Sequence, residues 1–219
     1  MTTPFPITTV LDLVEAALPA FNQPLIDQMS AEQQTPFRIL VATILSLRTK
    51  DTLTAVVAPR LFTLADTPAS LLALGEQRLA ELIYPVGFYQ NKARSLIAIA
   101  HMLLERYNGA VPSDLEALLE LPGVGRKTAN LVRTAGFGLP GICVDIHVHR
   151  ITNRWGYVAT KDPDTTEMTL RTILPTQYWI PINRLLVTFG QNICHPTSPH
   201  CSTCPVAAYC ARIGVTRSR

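Results

Sequence analysis

A chain of 219 residues suits one large domain or two smaller ones, and 47% hydrophobic against 16% charged residues excludes a disordered chain. No apolar run reaches the ~18 residues of a membrane helix, and the opening MTTPFPITTVLDLVEAAL carries Asp12 and Glu15 with no basic residue before its apolar stretch, so neither a secretory nor a transit signal is expected and the cytoplasm is the expected location. The net charge of +3 is unevenly spread: residues 1–100 hold seven Lys/Arg and eight Asp/Glu, residues 101–219 twelve and eight, a basic excess in the second half that leans toward an anionic partner.

The predicted elements are helix after helix. Thr35 caps a helix with Pro36 at its first position, opening FRILVATILSL, which is apolar nearly all round and therefore buried. Asp51 is the expected cap of TLTAVVAPRLF. Thr67-Pro68 repeats the cap-and-proline signal before ASLLAL, with Gly75 as its stop, and RLAELIYPV runs on to Gly87. KARSLIAIAHMLLERY, residues 92–107, has helical periodicity and a stop at Asn108-Gly109. Ser113 and Glu116 read as a capping box for LEALLEL. No alternating strand or hairpin turn appears, so the fold class is all-α.

In LPGVGRKTANLV, residues 121–132, Pro122 ends one helix, Gly123 and Gly125 allow a tight turn with positive φ, and a second helix starts near Arg126. Its open N–H groups can hold a phosphate oxygen. A glycine turn followed by a basic pair has the form of a helix–hairpin–helix that grips DNA backbone without reading sequence. Arg126 and Lys127 stand at the wrong end of the helix dipole for stability. That placement, with partial burial, would lower a lysine's pKa and make Lys127 a nucleophile; a phosphate contact is the equal alternative on chemistry alone. In VDIHVHR, Asp145 is expected to cap the following helix, and a capping carboxylate stays ionised and oriented, suited to stabilise a cationic sugar. His147 and His149 fall on different faces of that helix, and neither is assigned to a metal.

The segment CHPTSPHCSTCPVAAYC sets Cys194, Cys201, Cys204 and Cys210 at spacings C-x6-C-x2-C-x5-C. In a cytoplasmic chain four thiolates this close point to a metal centre. One tight pair with an outlier on each side suits a cubane iron–sulfur cluster better than structural zinc, which uses two similar pairs. Cys143 is left over as a buried thiol.

Together PFRILVATILS, TKD, GFYQNKA, LPGVGRKTAN, VDIHVHR and the four-cysteine loop resemble the endonuclease III family of iron–sulfur helix–hairpin–helix DNA glycosylases, from about Pro36 to Cys210. The resemblance implies a six-helix barrel domain over residues 29–141, with the hairpin at about 113–135, and an iron–sulfur domain from 1–28 plus 142–219 whose cluster loop is 194–210, with a DNA-binding cleft between them. It implies Lys127 as nucleophile, Asp145 as essential carboxylate and a 4Fe–4S cluster on Cys194, Cys201, Cys204 and Cys210. It also implies DNA contacts from Arg48, Phe88, Gly123, Gly125, Arg126, Thr128 and His147. The implied activity is base excision on duplex DNA, removing oxidised pyrimidines and then nicking the abasic site by β-elimination. The expected protein is a monomer that works on the nucleoid, away from membranes. A monofunctional glycosylase of the same fold lacks a lysine at this position, and a non-catalytic DNA-binding module would not need both Lys127 and Asp145.

Two departures stand out. The family pattern Ser-x-Gln-x-x-Asp reads SLRTKD here, so Arg48 replaces the glutamine that fills the gap left by a flipped nucleotide, while Phe88 takes the place of an apolar wedge. The loop HPTSPH, where the family carries Lys or Arg, has only His195 and His200, so its hold on phosphate is expected to strengthen as they protonate.

Overall fold

A computed structural model describes residues 4–20 and 35–219; those residues contain ten α-helices and no strand, so the all-α expectation holds. The chain divides into two compact units, Leu25–Leu139 and Met1–Pro24 with Pro140–Arg219. The first domain boundary expected from the sequence, at 28 and 29, lies outside the described residues.

Six helices build the described part of the Leu25–Leu139 unit: α2 (Pro36–Ser46), α3 (Asp51–Phe62), α4 (Pro68–Ile83), α5 (Tyr89–Tyr107), α6 (Leu115–Leu119) and α7 (Arg126–Leu131). α2 starts where its sequence says: Thr35 Oγ1 accepts from the Arg38 N–H at 3.3 Å, with Pro36 at the first position. Every residue from Ile39 to Leu45 is buried, as a helix without a polar face must be. Asp51 is the first residue of α3 rather than its cap; Lys50 holds the cap position with no side-chain bond. The acid still opposes the helix dipole from the first turn. Thr67 caps α4 in a box completed by Ser70. Gly75 breaks that helix at φ 73°, ψ 161°, a conformation only glycine holds cheaply, and the chain resumes helix to Ile83. α5 starts three residues earlier than its periodicity indicates, behind a left-handed Phe88, and ends at left-handed Asn108 and Gly109. α6 is capped by Asp114, which accepts from the Ala117 N–H at 3.0 Å, in place of the expected Ser113. Serine and aspartate are comparably good N-caps, and the aspartate one position on takes the role.

The other unit holds α1 (Ile7–Ala17), α8 (Ile146–Trp155), α9 (Pro163–Ile173) and α10 (Ile182–Asn192). α8 and α10 pack together, and Trp155, Phe189, Leu11, Val148 and Leu186 share one core with Cys194 and Val206 from the cysteine loop. Each unit thus buries its own set of apolar side chains. No described helix is long and apolar enough to cross a membrane.

Candidate active site and cysteine pocket

The hairpin is built from α6, a turn and α7. The Val124 N–H returns to the Leu121 carbonyl at 3.0 Å, and Gly123 turns the chain at φ 80°. Gly125 departs from expectation: it is the N-cap of α7 at φ −96°, ψ 178°, an extended conformation open to any residue. No side chain caps α7, so its first turn relies on other acceptors for its N–H groups. Arg126 and Lys127 occupy that turn. Lys127 is exposed, so the partial burial expected from the sequence is not found in the protein on its own. Thr128, a DNA contact expected from the sequence, is 2% exposed. After Leu131 the helix widens into a π-turn over Val132–Gly136.

Asp145, 8% exposed, is the N-cap of α8: one carboxylate oxygen accepts from the His147 N–H at 2.8 Å and the Val148 N–H at 2.9 Å. Two amides at the start of a ten-residue helix fix its orientation. His147 rests on α10, where a Cβ at Gly190 would lie 2.4 Å from its Nδ1, so Gly190 is the residue that leaves it room. Its Nδ1 also meets Arg150 Nη2 at 3.0 Å.

The same helix reaches the cysteines. Arg150 donates to the Cys194 carbonyl at 2.9 Å. Arg154, 6% exposed, donates to Cys194 Sγ at 3.3 Å, the His195 carbonyl at 2.8 Å and the Pro196 carbonyl at 3.0 Å. Neither arginine was marked by the sequence reading, although their i, i+4 spacing on a capped helix puts both on one face. Cys194, Cys201, Cys204 and Cys210 all line one pocket with about 310 Å³ of empty space, part of it open to solvent, together with Arg154 and Arg212. Among the described residues no group of three or more His, Cys, Asp or Glu is drawn together for a single ion; what the four cysteines share is a pocket wall. Burial pushes the Cys204 thiol up to about 11 and raises that of Cys210. Cys143 is buried, as expected. The rings of His195 and His200 lie 5.2 Å apart, and burial, then His200, Arg219 and Arg150, lower the pKa of His195. The chain also lays Arg219 against this loop: the Arg219 N–H donates to the Pro199 carbonyl, and the Ser202 N–H to the Arg219 carbonyl, both at 2.9 Å. A guanidinium therefore stands beside a loop whose own sequence supplies only histidines.

Arg48 and Phe88, the two departures, lie in the Leu25–Leu139 unit on separate loops. Both are exposed and both are left-handed, at φ 52° and 56°. Lys92, in the GFYQNKA segment, carries no local sequence signal for a role and is buried.

A helical hairpin that offers an uncapped helix start and a lysine to an anion, joined in one chain to a cysteine-walled pocket, defines a helix–hairpin–helix protein with a second, cysteine-lined unit. Residues 41–176 match the model of the HhH-GPD superfamily base excision DNA repair proteins. The chain belongs to that superfamily and, within it, to the endonuclease III group. It is 45% identical over 179 residues to endonuclease III of Thermotoga maritima, covering 82% of this chain and 84% of that protein. It is 36% identical over 176 residues to the Escherichia coli K12 enzyme, covering 80% and 83%. The solved structure of a non-covalent endonuclease III–DNA complex superposes with a TM-score of 0.86 at 36% identity, over 97% of both chains.

Proposed function

We propose that this protein is a bifunctional base-excision enzyme: a DNA glycosylase for oxidised pyrimidines that also cleaves the abasic site through a lysine Schiff base. The observation that carries the reading is Lys127, exposed in the first turn of a helix that starts behind a glycine turn. The hairpin takes the DNA backbone at the exposed Gly123 and Gly125 N–H groups and Arg126, where phosphate meets partial positive charge. The damaged base leaves the stack, since its sugar is out of reach inside the duplex. The Lys127 amine attacks the sugar carbon that carries the base; the bond to the base breaks and its electron pair leaves with the base. Asp145, held in place by its two amide bonds, stabilises the positive charge that develops on the sugar and assists deprotonation of Lys127. After the amine loses a proton, the nitrogen's electron pair breaks the bond from that carbon to the ring oxygen, which takes up a proton, and the opened sugar is held as an iminium. A proton is lost from the neighbouring sugar carbon, the bond to the 3′ phosphate breaks, and the strand is nicked.

Cys194, Cys201, Cys204 and Cys210 are the residues that would hold a 4Fe–4S cluster, and four thiolates around one pocket suit such a group. When bound it supplies a cross-link between distant parts of the loop, not a redox step. Arg150 and Arg154 fix the first of these cysteines, and the Arg219 guanidinium donates to Ser198 Oγ of the loop at 3.3 Å. The protein acts as a monomer on the nucleoid.

Borohydride reduction in the presence of abasic-site duplex tests the reading. Wild type gives a covalent adduct that mass spectrometry locates on Lys127, and Lys127→Ala gives none. Base release without trapping would make it monofunctional; neither event would leave a DNA-binding module.

A further inference from the structure

We propose that Lys92 is a positioning residue for duplex opening, locking Arg48 and Phe88 into one rigid probe that enters the DNA stack. The proposal rests on the reading above that the protein works on duplex DNA.

Lys92 lies in the first turn of α5 and is 7% exposed. Its Nζ donates to the Leu45 carbonyl at 2.8 Å, the Leu47 carbonyl at 2.6 Å and Thr49 Oγ1 at 3.0 Å. An ammonium has three donors, and all three are used. Leu45 lies in the last turn of α2 and Leu47 is its C-cap, so two of the acceptors are carbonyls that a helix leaves unmatched at its negative end. Capping explains those two bonds. It does not explain the third, nor what the three acceptors surround.

They bracket Arg48. Leu47 and Thr49 are its chain neighbours, and Arg48 itself is left-handed. Thr49 Oγ1 takes a second bond, from the Gly87 N–H at 3.2 Å, which ties this loop to the one carrying Phe88. The two backbones touch: a Cβ on Gly87 would lie 2.8 Å from the Arg48 carbonyl oxygen. Next in the chain Phe88 is left-handed too. One buried amine and one hydroxyl therefore hold two strained residues from different loops in register. Above the hub the Arg48 guanidinium carbon sits 5.8 Å from the centre of the Phe88 ring, and Phe88 is 60% exposed.

Nothing in the core of the unit calls for this. A phenyl ring held outward exposes apolar surface, and left-handed backbone at two non-glycine residues costs free energy at each. Such strain persists where surrounding bonds overdetermine it, and here those bonds converge on Lys92. An outward aromatic paired with a guanidinium matches a stack of bases flanked by phosphate, where the ring slides between steps and the cation meets an unpaired base edge. A wedge works only if it does not fold back when the stack resists. The Lys92 amine touches no substrate; it sets the stiffness of the groups that do.

The test uses Lys92→Met, which keeps the stem but not the donors, and Thr49→Val, which removes the hub hydroxyl and leaves Lys92 in place. Three readouts are taken on each: single-turnover excision of 5-hydroxyuracil from a matched duplex, the same from a bulge already unstacked, and β-elimination at an abasic site in single-stranded DNA. Both variants should lose about 10- to 100-fold on the matched duplex, with the bulge and single-strand rates within about twofold of wild type. Equal losses on all three substrates would make Lys92 a folding residue only, and no loss on the duplex would make it idle; either overturns the proposal. If Lys92→Met fails to fold, Thr49→Val decides. The fluorescence of 2-aminopurine opposite an abasic analogue reports stack opening without chemistry. A wild type that opens the stack yet never traps on borohydride would therefore sink the lyase reading and leave this one standing.

Discussion

The guanidinium carbon of Arg48 stands 5.8 Å from the centre of the Phe88 ring, and both residues hold left-handed backbone. An exposed cation–π contact contributes about 0.5–1 kcal/mol, too little to hold two loops in left-handed conformations by itself. The strain is carried by the backbone bonds beneath. Arg48→Gly should therefore stabilise the fold by about 0.5–1 kcal/mol, since glycine adopts φ 52° without a Cβ clash, while excision from matched duplex falls. Denaturant unfolding and single-turnover kinetics on the same preparation check this. A variant that is both less stable and fully active would contradict the assignment of the strain to function.

Arg48→Gln restores the residue more usual in this family and removes the charge. The ratio of excision rates across the four opposite bases should change by about fivefold or more for at least one pair, because a guanidinium and an amide present different donors to the widowed base. Unchanged ratios would place Arg48 away from that base.

Asp145 has two roles that substitution can separate. Asparagine caps a helix about as well as aspartate, so Asp145→Asn should stay within about 0.5 kcal/mol of wild-type stability while base release falls by about 100-fold or more. Asp145→Ala loses the cap as well, at about 1–2 kcal/mol. If the asparagine variant kept near-normal base release, the carboxylate charge would have no part in the chemistry.

What the sequence disclosed and what it hid differ by range. Thr35, Thr67 and Asp145 cap helices as read, because a cap bonds within three residues of itself. The capping box drawn from Ser113 slipped to Asp114, a choice between adjacent good caps that spacing alone does not make. Gly125 has the look of a second positive-φ glycine because glycine is permissive; of the two hairpin glycines, Gly123 alone uses that freedom. Lys127 was expected to be partly buried, yet a hairpin's first turn faces outward and leaves it exposed. Lys92 and Arg154 stayed hidden for a plainer reason: their partners lie 43–47 and 40–42 residues away in the chain. No local pattern announces a bond over that distance, whereas four cysteines within one loop announce themselves.

Arg154 is where the cysteine loop is most open to disturbance. It is a buried guanidinium whose bonds go to a thiol and two carbonyls of one loop segment. Arg154→Met should leave those acceptors unmatched, at about 1–3 kcal/mol each where water cannot reach them, and loosen the segment that carries Cys194. Iron and acid-labile sulfide per chain should fall by half or more, with helical circular dichroism retained. Full iron content in a folded variant would show that the cysteines hold their group without this support.

The pH dependence of Lys92 gives the last prediction, and its two readouts move in opposite directions. Burial alone lowers its pKa from 10.5 to about 8, with no charged neighbour contributing. The unfolded chain keeps that proton up to about 10.4, so between these values the unfolded state binds more protons and stability rises with pH. This contribution, on the order of 2–3 kcal/mol, is complete above the unfolded value and is lost as pH falls through about 8. The stability of wild type relative to Lys92→Met should therefore increase between pH 8 and 10. The neutral amine, however, has two donors for three acceptors, so one bond of the hub is lost and the probe slackens. The ratio of matched-duplex excision to single-strand β-elimination should fall above pH 8 in wild type and stay level in Lys92→Met; the ratio cancels any effect on the attack by Lys127, which both reactions share. A wild-type ratio that is flat to pH 10 while the stability difference rises would mean that the third hydrogen bond has no bearing on how the probe enters the stack.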